Sequence, residues 1–197
     1  MIPPLNDMQL DALRELANIA SGTAATALSQ MLGREVELNV PRALALPLAD
    51  AVDACGPPEA EVSGVVFPID GDLEALVLLL IPAEHAHALC AMLGVEAGTD
   101  VGDSALCEIG NILGTSYLNG LAAMTGLALL PSPPTLKSDM LAAIVSSLLA
   151  ATSGIDDLAL VLDSELDVSG EACSISFLLL PTVGQIDGLL APLGLAG

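Results

Sequence analysis

Aromatic side chains are almost missing from this chain, which has no tryptophan, one tyrosine and two phenylalanines in 197 residues. Any core must therefore be assembled from Leu, Ala, Val and Ile, and the 53% hydrophobic content is ample for one. That content excludes a disordered chain, and the length suits one domain or two small ones. Positive charge is scarcer still. Arg14, Arg34, Arg42 and Lys137 are the only fixed cations against 25 acidic residues, for a net charge of −21. Nucleic acid is excluded as a partner, because it is held by Lys and Arg neutralising phosphates, and an anionic membrane surface is excluded on the same ground. A phosphate-bearing substrate would have to bring its cations from elsewhere.

Cysteine spacing is uninformative in a useful way. Cys55, Cys90, Cys107 and Cys173 form no CxxC pair and sit among apolar neighbours, so free thiols in a reducing compartment are expected. His85 and His87 are two apart, not the four apart that places two imidazoles on one helical face, and no metal site is expected. The first residues carry neither a basic stretch nor an apolar run of signal-peptide type, and the most apolar run, 75–81, is too short to span a bilayer. A cytoplasmic protein is expected. Gly-x-Ser-x-Gly, His-Glu-x-x-His and Walker sequences are also missing, which argues against a conventional hydrolase.

What is present is a repeat. Residues 11–33, DALRELANIASGTAATALSQMLG, align without gaps at an offset of 93 with residues 104–126, SALCEIGNILGTSYLNGLAAMTG. Glu15 matches Glu108, Asn18 matches Asn111, Gly33 matches Gly126 and Pro41 matches Pro134. Further on, 79–82 match 178–181 at an offset of 99, so the second copy carries an insertion of six between Pro134 and its later strands. The stretch 139–153 reads as an amphipathic helix filling it, and its counterpart at 48–54 is shorter and weaker.

Each unit has one pattern. A long helix, about 7–32 or 102–125, ends at a glycine suited to a helix C-terminus. An extended segment follows at 35–46 or 127–136. A hairpin comes next, 60–69 with 73–81 around Asp70-Gly71-Asp72, then 157–167 with 171–180 around Ser169-Gly170. A closing helix is expected after Pro82 (83–93) and after Pro181 (182–190). The fold class is α+β: a pseudo-two-fold symmetric duplicated unit with two long helices on a mainly antiparallel sheet. One domain over 1–197 is expected, made of repeats at about 7–94 and 101–192.

At about 100° per residue, Asp11, Asn18 and Gly22 fall within roughly 60° of Glu15 on one helical stripe. Leu13, Ala17, Ala20, Ala24, Leu28 and Met31 fall on the opposite, core-facing side. The second helix repeats this, with Ser104, Glu108, Asn111 and Thr115 outside and Leu106, Ile109, Leu113, Tyr117, Leu121 and Met124 inside. A polar stripe alone is ordinary for a surface helix. Asn in mid-helix is not, because it is a weak helix former, and here it occurs twice with Glu three residues before it. Gly22 and Thr115 lie a turn beyond and leave room for another backbone.

The spacing Asp/Ser-x3-Glu-x2-Asn-x22-Pro, met by Asp11, Glu15, Asn18 and Pro41 and again by Ser104, Glu108, Asn111 and Pro134, resembles the signature of the CheC/CheX/FliY phosphatases of bacterial chemotaxis. Two motifs in a chain that stops at Gly197 look most like the CheC branch, and a further flagellar-switch domain would have suggested the FliY branch. The resemblance implies hydrolysis of the phosphoaspartate of a CheY-type response regulator. In that implied mechanism Asn18 or Asn111 orients the water, and Glu15 or Glu108 pairs with the regulator's Lys. Asp11, Ser104, Gly22 and Thr115 support or contact the docked regulator, and Pro41 and Pro134 shape the adjoining strand. No cofactor of the chain's own is implied, since the regulator supplies Mg²⁺. The resemblance also implies a second partner, the receptor deamidase CheD, for which the chain would be a non-catalytic adaptor, with the helix at 139–151 as a candidate surface. A monomer is expected.

Overall fold

The computed structural model describes residues 7–185 apart from 153, together with 188 and 191. Helix α1 (Asp7–Leu32) leads into β1 (Val36–Pro47), α2 (Leu48–Cys55), β2 (Glu61–Gly71), β3 (Ala75–Pro82) and α3 (Ala83–Met92). The second unit runs α4 (Asp100–Thr125), β4 (Leu129–Pro131), β5 (Thr135–Met140), α5 (Leu141–Ala151), β6 (Leu158–Val168) and β7 (Glu171–Pro181). Both long helices stop where expected: Gly33 and Gly126 adopt φ of 64° and 73°, a conformation that costs glycine nothing and other residues energy.

The seven strands form one antiparallel sheet in the order β1-β6-β7-β3-β2-β4, with β5 also on β2. The two units interleave in it. The returning strand of the first unit, β1, pairs with the second unit's hairpin, while β4 and β5 pair with the first unit's hairpin. At the centre β3 meets β7, with Leu78 opposite Leu178 and Leu79 opposite Phe177. The sequence offset of 99 exchanges these two pairs, so the pseudo-two-fold passes between them.

Because β3 is covered on both faces it reads as a continuous apolar run, and its residues Ala75 to Ile81 are all buried. Alternation sends Val77, Leu79 and Ile81 into the core under α1, α3 and α4. Leu76, Leu78 and Leu80 enter a second core under α2 and α5. The expected inner faces hold: Leu13, Ala17, Ala20, Ala24, Leu28, Leu106, Ile109, Leu113, Tyr117 and Leu121 are buried, and Met31 packs partly buried against the same core.

Two expectations need correction, and a third lies mostly outside the described residues. Met124 is 41% exposed rather than inward, because the last turn of α4 runs past the layer that covers Leu121. The helix expected over 139–153 begins only at Leu141 and ends at Ala151, and α2 is its shorter counterpart, eight residues to α5's eleven. The sequence 139–140 instead extends β5, opposite Val62 and Glu61. The apolar face of α5 covers the sheet through Leu141, Ile144 and Leu148. The closing helix expected over 182–190 falls mostly outside the described residues, and 182–185 form a bridge and turn.

Candidate functional sites on the two long helices

Both motif helices present the expected stripe. Asp11, Glu15 and Gly22 are exposed on α1, Ser104 and Glu108 are exposed on α4, and Asn18, Asn111 and Thr115 are half-buried. The α4 helix starts cleanly, with the Thr99 hydroxyl accepting from the Gly102 N–H at 3.2 Å and Asp100 and Asp103 in its first turn, where negative charge suits the helix dipole.

The details of the two faces diverge. On α1, Asp11 is paired with Arg14 at 3.1 Å. The Asn18 amide turns toward the sheet: its Oδ1 accepts from the Val40 N–H at 2.9 Å, and its Nδ2 donates to the Val40 carbonyl at 3.3 Å. Beneath it the buried Ser21 hydroxyl is shared between the carbonyls of Asn18, at 2.7 Å, and Leu38, at 3.1 Å. Among the described residues nothing requires glycine at position 22, where a Cβ would meet no atom within 4 Å. On α4, the Ser104 hydroxyl donates back to the Asp100 carbonyl at 2.8 Å. The Thr115 hydroxyl donates to Asn111 Oδ1 at 3.3 Å, and among the described residues this is the Asn111 amide's one side-chain partner. Ser104, Glu108 and Asn111 line an open trough of about 500 Å³ together with Pro134, Thr135 and Leu136 of β5 and its approach. A second cleft of about 510 Å³ adjoins it, sharing Asp103 and lined also by Glu61, His87 and Asp139.

The two motif prolines sit at breaks in strand pairing. Pro41 lies where the β1–β6 register slips between Asn39 and Arg42, and Pro134 lies between β4 and β5. Each lacks an N–H for the ladder, which is why the strand leaves regular pairing beside the helix.

Sequence reasoning missed several participants. The backbone of Val40 was invisible because its link to Asn18 spans 22 residues. Met8 and Ile19 are 81% and 75% exposed on the α1 stripe, and Val101, which stands 93 residues after Met8, is 62% exposed. The matched exposure of Met8 and Val101 could have been found from the repeat, since a helix's outer face has no internal use for apolar side chains. Tyr117 was placed in the core, but its buried hydroxyl contact with Ser164 at 2.8 Å was not foreseen. Its ring stands edge-on to Phe177, and burial pushes its phenol up to about 12.

The four cysteines are free. Burial raises each thiol, that of Cys55 to about 11, which disfavours the nucleophilic thiolate. His85 accepts from the Ser174 N–H at 3.0 Å, and His87 Nδ1 lies 2.6 Å from the Ala83 carbonyl. Among the described residues no three His, Cys, Asp or Glu side chains gather as a metal site, and no helix is long and apolar enough to cross a membrane.

Comparison with known proteins agrees with this geometry. The CheC-like family model matches residues 8–44 and 101–138, the two motif helices and the strands that follow them. The CheY-P phosphatase CheC of Bacillus subtilis is 34% identical over 170 residues, covering 82% of this chain and 81% of that protein. Among solved structures, Thermotoga maritima FliY superposes with a TM-score of 0.74 at 23% identity over 96% of this chain and 98% of that one. The middle domain of Helicobacter pylori FliM (H. pylori) superposes with a TM-score of 0.73 at 12% identity, over 95% and 99% of the two chains. These structures share the fold. The identity to the Bacillus protein over four-fifths of both chains, on a helix-and-sheet frame that displays Glu and Asn twice, places this chain in the CheC-like family.

Proposed function

We propose that the chain is a phosphatase that hydrolyses the phosphoaspartate of a CheY-type chemotaxis response regulator. The observation that carries this reading is the paired display of Glu15 with Asn18 and of Glu108 with Asn111, on the faces of α1 and α4 opposite their buried apolar sides. The relative with 34% identity is a CheY-P phosphatase by name, and the fold is shared with CheX in a complex with CheY, BeF3 and Mg²⁺ from Borrelia burgdorferi, at a TM-score of 0.50.

The chemistry suits an acidic chain. In the step, the water oxygen bonds to phosphorus, the bond from phosphorus to the aspartyl oxygen breaks, and inorganic phosphate and a carboxylate leave. The regulator's Mg²⁺ and Lys carry the charge neutralisation such a transfer needs, so a chain of net charge −21 need add no cation. An amide both accepts and donates, and Asn18 or Asn111 holds the water in line without removing its proton. Glu15 or Glu108 pairs with the regulator's Lys and sets the docking angle. Asp11, Ser104 and Thr115 border the docked surface, and Pro41 and Pro134 shape the strand beside it. The chain works as a monomer in this reading.

The test is phosphate release from a phosphorylated CheY-type receiver domain. Positioning of a reacting water is worth on the order of 100-fold, so Asn18→Ala with Asn111→Ala should reduce release by about that factor while leaving thermal unfolding near the parent's. An unchanged rate in the double variant overturns the mechanism. Binding of CheD is a separate proposal. The apolar face of α5 lies on the sheet, leaving Leu149, 41% exposed, as its outward apolar residue, and a pull-down with CheD checks it.

A further inference from the structure

The chain treats its two motif asparagines differently. Asn18 is held at both ends of its amide by one residue, Val40, at 2.9 and 3.3 Å. Val40 lies inside the slip of the β1–β6 register, so its N–H and carbonyl are turned to the helix. Ser21 ties the backbone of the same turn to Leu38. The residue 22 beyond Asn111 is Pro133, which has no N–H to offer. There the strand is interrupted between β4 and β5, and the Ser132 N–H goes to the Pro68 carbonyl at 2.9 Å. Asn111 keeps only the local 3.3 Å contact from Thr115 on its own helix, among the described residues, and it faces the same open trough as Glu108 and Pro134.

We infer that the residue immediately before each motif proline is a positioning residue that sets whether the asparagine is available to a docked partner. Val40 holds Asn18 against the sheet. Pro133 leaves Asn111 free, so the second face carries most of the turnover. This rests on the phosphatase reading above. To reach a regulator, Asn18 must first release Val40, and each hydrogen bond broken reduces the free population by roughly two- to tenfold. Asn111 has no such step.

A reciprocal exchange tests this. In a chain carrying Asn111→Ala, Val40→Pro writes Asn-Pro-Pro beside the first face, as Ser132-Pro133-Pro134 stand beside the second. Phosphate release from a phosphorylated CheY-type receiver domain should then rise about fivefold, within the range set by breaking one or two hydrogen bonds. In a chain carrying Asn18→Ala, Pro133→Val restores an N–H while relaxing the backbone, so it is not expected to unfold the chain. Release should fall by a similar factor, in kcat with KM unchanged. Independently of turnover, hydrogen exchange at the Val40 amide should accelerate in Asn18→Ala. A Pro133→Val rate equal to its parent's, a Val40→Pro rate no higher than its parent's in a chain of unaltered thermal unfolding, or unaltered exchange at Val40 each overturns the inference. Absence of release with the unaltered chain would instead sink the phosphatase reading and this one with it. Release from both parents without response to the exchange sinks only this one.

Discussion

The two motif helices share their outer Glu and Asn and differ in how they are seated. On α4, Gly110 and Gly114 bring the helix backbone down onto β2. A Cβ at position 110 would press into Val65, and one at 114 would overlap the ring of Phe67. The residues 93 earlier on α1 are Ala17 and Ser21, both buried, with the Ser21 hydroxyl spent on the carbonyls of Asn18 and Leu38. One helix is seated by shape and the other partly by hydrogen bonds. Tyr117 on α4 fills space that its counterpart Ala24 leaves on α1, and it reaches Ser164 in doing so. A repeated surface motif therefore does not imply a repeated support, and the support decides what the motif's side chains are free to do.

Writing one helix's support into the other should break the comparison most severely. Gly114→Ser places the α1 residue on α4, where the Phe67 ring must move. Overpacking of this kind costs about 1–3 kcal/mol, and in a chain of this size each kcal/mol lowers Tm by roughly 2–4 °C, readable by calorimetry. The reverse change, Ser21→Gly, should cost about 0.5 kcal/mol in helix propensity and loosen Asn18 as well. A Gly114→Ser chain as stable as its parent would show that the close seating of α4 is not needed.

A smaller effect is expected at Tyr117. Tyr117→Phe leaves the buried Ser164 hydroxyl without its partner, at a cost of about 1–2 kcal/mol with the ring packing kept. The same variant has a pH signature. Folding raises the phenol from its ordinary value of 10 to about 12 by burial. The unfolded chain therefore loses this proton first, and stability present below pH 10 is lost as pH rises toward 12. Denaturant midpoints measured across that window should fall less steeply in Tyr117→Phe than in the parent. The raised thiol of Cys55, at about 11, contributes in the same direction in both chains.

The smallest effect is expected from Thr115→Val, which removes only the 3.3 Å contact to Asn111. Stability should change by less than about 0.5 kcal/mol and phosphate release by less than about twofold, the ordinary range away from core features. A large loss would mean that Thr115, and not the missing N–H of Pro133, governs Asn111.

Much of this molecule is legible in the order of its residues. Local periodicity placed the inner faces of α1 and α4 almost residue for residue, because burial of an amphipathic helix follows its 3.6-residue period. Glycine and turn chemistry marked both helix ends and both hairpins. Met124 escaped because periodicity tells which side of a helix faces inward and not how far the covering layer extends. The α2 helix was undervalued because eight residues carry little periodic signal. The exposure of Ile19 is not legible in the sequence, since an apolar residue within a polar stripe carries no signal of its own.

The sequence by itself determined the duplication, the two Glu–Asn stripes, the near absence of cations and the membership that the motif spacing implies, because these are properties of order along the chain. Only the tertiary structure decided that the units interleave through β1 with β6 and through β4 and β5 with β2. Strand partners far apart in sequence are chosen by the packing of the whole sheet. Only the tertiary structure, too, separated the two asparagines. A side-chain amide meets a backbone 22 residues away only where a strand slips out of register beside it, and where proline removes the N–H that meeting is lost.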